Sequence, residues 1–439
     1  MFGYYLKLAL HSFKRNKALT ALMVLAIALG IGASMTTLTV FHVLSGDPIP
    51  QKSERLFYVQ MDPASINGFK PGEDPERQMT RFDSEALLRD ARGTRQAFMT
   101  RGGLAIEPNR GDMQAMQQDA RFTTADFFPM FDVPFRYGHG WSKTEDDSRA
   151  RVAVISTTLN DKLYGGGNSV GKTISLDQHE FRVIGVLAPW SPKPRFFDIT
   201  GSRFGGSEEV YLPMGTSRAL KMSTSGDMNC WDSAKNANDD PEGNGGVNAP
   251  CAWLQYWVEL DNPAKAADFR QYLTNYSDQQ RAAGRFVRPT NVALSNVMTW
   301  LDKNNVVPGD VRLQLWLALG FLLVCLLNTV GLLLAKFLRR GGEIGVRRAL
   351  GASRRQVFQQ CLVEAGMVGL AGGVLGLALA FLGLWAVRQQ PTDYAPLAHL
   401  DAPMLLLTFA LALLASVLAG LLPAWRACQI SPAIQLKSQ

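Results

Sequence analysis

Residues 166–173 read Gly-Gly-Asn-Ser-Val-Gly-Lys-Thr and match the phosphate-binding pattern GxxxxGK[ST] letter for letter. In a working loop of that kind, a strand leads in and a helix leads out, so backbone N–H groups and the lysine converge on phosphates at the helix N-terminus. The surroundings here run the other way. A helical pattern at 158–164 precedes the loop, and a strand-like run at 173–176 follows it. No hydrophobic run ending in aspartate stands where the second half of a nucleotide site would need it. A turn between helix and strand is the expected role of Lys172, and no bound nucleotide is expected.

The other reactive residues are dispersed. The five cysteines form no CxxC pair and the five histidines are scattered, so no metal site is expected. Glu107, Asp126, Asp146 and Asp147 are expected to be solvated surface acids. No catalytic constellation emerges, and the chain is not expected to be an enzyme.

The elements that must carry these residues are dominated by four apolar blocks, at 18–41, 313–335, 362–387 and 404–422. The first follows Lys14-Arg15-Asn16-Lys17 and is too long for a signal peptide's apolar core of roughly 7–15 residues. Each block can cross a hydrocarbon layer of about 30 Å. The net charge of +7 could suggest nucleic-acid binding, but the basic residues flank the apolar blocks rather than forming an aromatic-studded face. No nucleic-acid partner is expected.

Lysine and arginine in short flanks set direction. Lys7, Lys14, Arg15 and Lys17 precede the first span, and Lys336, Arg339, Arg340, Arg347, Arg348, Arg354 and Arg355 lie between the second and third. The third and fourth spans are joined by 388–403, with Arg388 at its edge and no other Lys or Arg. Both termini, the coupling segment 336–360 and the tail 423–439 are therefore expected in the cytoplasm, with membrane lipids around the spans. The large segment 45–310 is expected outside. On that oxidising side stand Cys230 and Cys251, whose disulfide would close a loop of about twenty residues, worth roughly 3 kcal/mol.

The expected fold is thus an α-helical four-span membrane protein with a large mixed α/β domain between the first two spans. In that domain strands are expected at 55–60, 151–155, 173–176, 181–187, 209–212 and 254–260, and helices at 84–89, 158–164 and 265–283. Residues 223–250 read as a long surface loop. In the third span, Gly369, Gly372, Gly373 and Gly376 make two overlapping GxxxG spacings, which suit close helix packing within one subunit or across a dimer. Asn328 and Glu364 are the polar residues near span interiors or ends. Such residues are costly in lipid, and an arginine at the interface would explain Glu364.

The most specific stretch is 342–360, GEIGVRRALGASRRQVFQQ. Its spacing predicts a short basic amphipathic helix, a Gly-Ala-Ser break and the start of the third span. Such a helix can lie on an anionic leaflet or seat its apolar face in a groove on a partner.

This stretch closely resembles the signature of FtsX/MacB-type permeases, through Glu343, Ile344, Gly345, Val346, Arg347, Arg348, Ala349, Leu350, Gly351, Ala352 and Ser353. The glycine-rich third span and the tail residues Pro423 to Ala427 and Ser431 to Ile434 look like that family too. So do 152–156, 171–173 and 181–186, which resemble the MacB-type periplasmic domain and account for the false phosphate loop. The stretch 4–13 resembles the family's amphipathic N-terminal helix, expected over 1–17. The resemblance implies ATPase coupling through Glu343, Ile344, Gly345, Val346, Arg347, Arg348, Leu350 and Gly351. It further implies an inner-membrane dimer, homo- or heteromeric, above ABC ATPase subunits that carry ATP and Mg. MacB carries a fused ATPase; none precedes the first span here, so a separate chain is expected to supply it. Efflux or export through a periplasmic adaptor and outer-membrane channel is the leading expectation. A lipoprotein-releasing permease of the LolC/LolE kind, or an FtsX-like regulator of cell-wall hydrolases, is the alternative.

Overall fold

The computed structural model describes residues 8, 17–107, 114–231, 242–392 and 394–429. The N-terminal stretch 4–13, apart from residue 8, lies outside the described residues, as do 232–241 of the polar loop and the tail residues Ser431 to Ile434. The chain divides into two compact units, 1–46 with 307–439, and 47–306.

The first unit contains four helices long and apolar enough to cross a membrane: Lys17–Ser45, Gly309–Arg339, Arg354–Arg388 and Ala402–Cys428. The shortest has 27 residues, about 40 Å at 1.5 Å per residue, so each helix outruns the hydrocarbon layer. Their starts are chemically marked. Ser353 and Gln356 form a reciprocal capping box on the third span, and Asp401 accepts from Met404 N at 3.0 Å on the fourth. The first and second spans are joined by Ser34 Oγ, which donates to Ala318 O at 3.0 Å.

The glycines of the third span pack within this unit. A Cβ on Gly372 would stand 2.7 Å from Ile27, and one on Gly376 3.1 Å from Ile31, both on the first span. Gly373 faces Ala412 and Gly369 faces Ser416, both on the fourth. The two GxxxG pairs therefore serve two different neighbours of the same chain. Asn328 is exposed on the second span.

The second unit is a mixed sheet with helices. Its strands are β1 (Leu56–Met61), β2 (Met79–Thr80), β3 (Arg95–Glu107), β4 (Met116–Thr123), β5 (Phe135–Gly138), β6 (Val152–Ile155), β7 (Thr173–Leu176) and β8 (His179–Leu187). They are followed by β9 (Val210–Pro213), β10 (Thr224–Ser225), β11 (Asn229–Cys230), β12 (Cys251–Glu259) and β13 (Val292–Asn296). The main order is β13-β1-β12-β3-β4-β9-β6-β8-β5, with β4–β9 and β6–β8 parallel and the other pairs along it antiparallel. Strand β12 is buried at every residue, as its run of Trp253, Leu254, Tyr256, Trp257 and Val258 requires. Helices Arg81–Asp90, Thr157–Tyr164 and Pro263–Ala282 belong to the same unit.

Three expectations change. Residues 223–250 are not simply a loop, because they carry β10, paired with β3, and β11, paired with β12. Asp146 is not a solvated acid. Its Oδ2 accepts from Ala125 N at 2.9 Å, and burial, with Asp147 nearby, pushes its pKa up to about 7. Strands β3, β4 and β13 were not expected at all. Strand β3 has a Gly102-Gly103 break in its pattern, and the first half of β4 carries the polar run Gln117, Gln118 and Asp119, with no apolar alternation and an aspartate poor in strand propensity. Cys230 and Cys251 are joined by a disulfide that ties β11 to β12.

Candidate functional site

The false phosphate loop shows its purpose in the backbone. Gly165 ends helix Thr157–Tyr164 in the left-handed region, Gly166 and Gly171 have φ of +82° and +89°, and β7 follows. Lys172 Nζ sits 4.9 Å from the ring centre of Tyr164. A helix C-terminus and an aromatic face replace the helix N-terminus that would hold phosphate.

The segment between the second and third spans is a true element. The second span ends at Arg339; Arg340 leaves the helical path, and a separate nine-residue helix, Gly341–Ala349, begins at once. It is an elbow. Leu350 closes it, and Gly351 turns the chain with φ +102°, a conformation that favours glycine. Ser353 then caps the third span.

The elbow's charged residues turn towards their own chain. Glu343 accepts from Arg347 at 3.1 Å, one helical turn later, and from Arg340 at 3.3 Å. Arg347 also donates to Gln360 Oε1 at 3.0 Å on the third span. Arg348 donates to the Cys428 carbonyl at 3.3 Å, at the end of the fourth span. Gly341 and Gly345 are buried, and Ile344 packs on the apolar core of the spans. The opposite face carries Gly342, Val346, Ala349 and Leu350, all exposed. These positions make one helical stripe. Leu350 is 84% exposed and Val346 52%, so among the described residues Leu350 stands almost bare and Val346 half-covered.

Of the eight residues expected to couple, Val346 and Leu350 therefore face outward, whereas Glu343, Ile344, Gly345 and Arg347 hold the elbow in place. Arg348 braces it to the fourth span, and Gly351 shapes its exit. Three residues outside that set belong to the same framework, Lys336, Arg340 and Glu364. Glu364 takes Lys336 Nζ at 2.7 Å and Arg340 Nη1 at 2.9 Å. The arginine expected to explain Glu364 is Arg340; the Lys336 contact was not expected. Among the described residues no group of three or more His, Cys, Asp and Glu could hold a metal ion.

Four long apolar helices, an α/β domain inserted after the first and a basic elbow after the second define a multi-pass, permease-type membrane subunit. The family model described as MacB-like periplasmic core domain matches residues 20–276, more than half of the chain, and that of the FtsX-like permease C-terminal region matches 316–432. The chain belongs to the MacB/FtsX-type family of ABC transporter permeases. It is 23% identical over 435 residues to the pyoverdine export ATP-binding/permease protein PvdT of Pseudomonas aeruginosa, covering 97% of this chain and 57% of that one. With the macrolide export ATP-binding/permease protein MacB of Brucella abortus it shares 27% over 465 residues, covering 99% of this chain and 60% of that one. The chain thus spans somewhat under two thirds of the length of these relatives. Among solved structures, the periplasmic region of MacB from Actinobacillus actinomycetemcomitans aligns over 60% of this chain and 97% of its own, at 12% identity and a TM-score of 0.37.

Proposed function

We propose that the chain is the membrane subunit of a mechanically coupled exporter. An ABC ATPase, carrying ATP and Mg and lying outside these 439 residues, docks on the elbow. Its closure tilts the spans, and the α/β domain changes shape on the far side of an inner membrane. The observation that carries this reading is the exposed Val346–Leu350 stripe on a helix whose charged residues are braced against their own spans. A helix that only rested on anionic lipid would spend its arginines on the leaflet rather than on Glu343 and Gln360.

The cationic elbow supports a cytoplasmic position for itself and for both termini, and the Cys230–Cys251 disulfide suits an oxidising exterior for the α/β domain. Two such chains would assemble above two ATPase subunits; the names of the relatives favour export, and the route we propose runs through an adaptor and an outer-membrane channel.

The test is a photo-crosslinking residue at Leu350 in the full chain, illuminated in native membranes. The expected product is a covalent adduct with an ABC ATPase, identified by mass spectrometry. Adducts with lipid alone would contradict docking and leave the elbow as a leaflet anchor.

A further inference from the structure

We propose that Glu364 is the positioning residue through which movement of the elbow reaches the first, second and third spans. The proposal rests on the docking reading above and names the joint that reading requires. Glu364 is 3% exposed and Lys336 is wholly buried, so a full ion pair has been taken out of water. Such burial is tolerated only where both carboxylate oxygens are engaged. They are divided between two elements. Oε1 holds Lys336 in the last turn of the second span, and Oε2 holds Arg340, the residue at the break before the elbow. Lys336 Nζ also donates to Thr20 Oγ1 of the first span at 3.4 Å. One carboxylate on the third span therefore ties together the ends of two other spans and the root of the elbow.

Arg340 is shared. Its Nη1 reaches Glu364 at 2.9 Å, while its Nε and Nη2 reach Glu343 on the elbow at 3.3 and 3.4 Å. If the elbow rotates, Glu343 travels with it and Glu364 does not, so Arg340 must follow one carboxylate or the other. Apolar contacts between helices slide, whereas charge-assisted hydrogen bonds are directional and break at a defined displacement. The arrangement is a two-state element of the kind a transmission step needs. A small void of about 10 Å³, enough for about one water, borders Arg340, Glu343 and Glu364.

The experiment has two arms, both on the full chain in lipid nanodiscs. In the first, hydrogen–deuterium exchange is followed without any ATPase in wild type, Glu364→Gln and Glu364→Asp. Amides of Gly341–Ala349 should exchange at least tenfold faster in Glu364→Gln and return towards wild type in Glu364→Asp. Amides of the fourth span, Ala402–Cys428, which carries none of the joint's residues, should be unchanged in both, which shows that the membrane unit is folded. Unchanged elbow exchange in Glu364→Gln would overturn the proposal, because packing alone would then hold the joint.

In the second arm the chains carry the ATPase that crosslinks at Leu350. With ATPase at saturating concentration, Glu364→Asp should keep the nucleotide-dependent change in exchange of the α/β domain and Glu364→Gln should lose it. A full nucleotide response in Glu364→Gln would overturn the positioning role. If the first arm gives the expected result and no ATPase crosslinks to wild type, the joint stands and the docking reading falls.

Discussion

Arg121 donates to Asp198 across 2.7 Å at a place where neither side chain meets water. The same guanidinium bonds Glu208, which also takes Arg195, while Asp198 takes Arg101 at 3.0 Å. Burial alone would raise the pKa of Asp198. The guanidinium groups of Arg121, Arg101 and Arg195 outweigh it and hold the carboxyl well below its usual range. Arg121→Met should destabilise the α/β domain by about 3–5 kcal/mol, because it strands two buried carboxylates. Denaturant unfolding followed by tryptophan fluorescence measures it. The network's contribution is complete above the ordinary carboxylate pKa of about 4 and fades as pH falls towards the depressed folded value.

Asp146 has the opposite sign. With its pKa at about 7 in the folded state, the folded chain binds more protons than the unfolded one between about pH 4 and pH 7. Stability should therefore fall as pH rises through that window and level off above it, by on the order of 4 kcal/mol in total. Asp146→Asn should flatten this part of the profile. Thermal midpoints of wild type and variant from pH 4 to 8 decide the matter.

The disulfide closes a separation of 21 residues and staples β11 to β12. Cys251→Ser should lower the stability of the α/β domain by about 3 kcal/mol. In intact membranes, alkylation of Cys230 and Cys251 should require a reductant. Labelling of both thiols without one would place the domain on the reducing side.

Glycines of the third span should differ by neighbour. Gly372→Val meets Ile27 and should loosen the four-helix unit by a few kcal/mol, as overpacking does. Gly366→Val, with nothing within 4 Å of its Cβ position, should be tolerated. Thermal unfolding in one detergent compares the two.

Much of the spans and of the false phosphate loop was legible in the sequence, because long apolar blocks and a helix-before-strand order need no distant partner to interpret. Strand β4 was not, since Arg121 reads as a surface residue until Asp198 and Glu208, far along the chain, close around it. At the elbow, the amphipathic helix was legible but the assignment of its face was not. Arg347 reads as a docking residue, yet it bonds Glu343 and Gln360, so Arg347→Asp would damage the elbow itself and is a poor probe of docking. The role of Glu364 depends on Lys336 and Arg340, which only the packing of the third span against the end of the second brings to it.

The most direct measurement is ATP hydrolysis that accompanies the affinity-purified chain from its native membrane. Wild type and Leu350→Met should bring vanadate-sensitive hydrolysis with them, and Lys172→Ala should match wild type. Leu350→Asp, which puts a charge on the exposed stripe and leaves Glu343, Arg347 and Glu364 intact, should reduce it at least tenfold. Undiminished hydrolysis with Leu350→Asp, or its abolition by Lys172→Ala, would contradict an elbow that receives its energy from a docked ATPase.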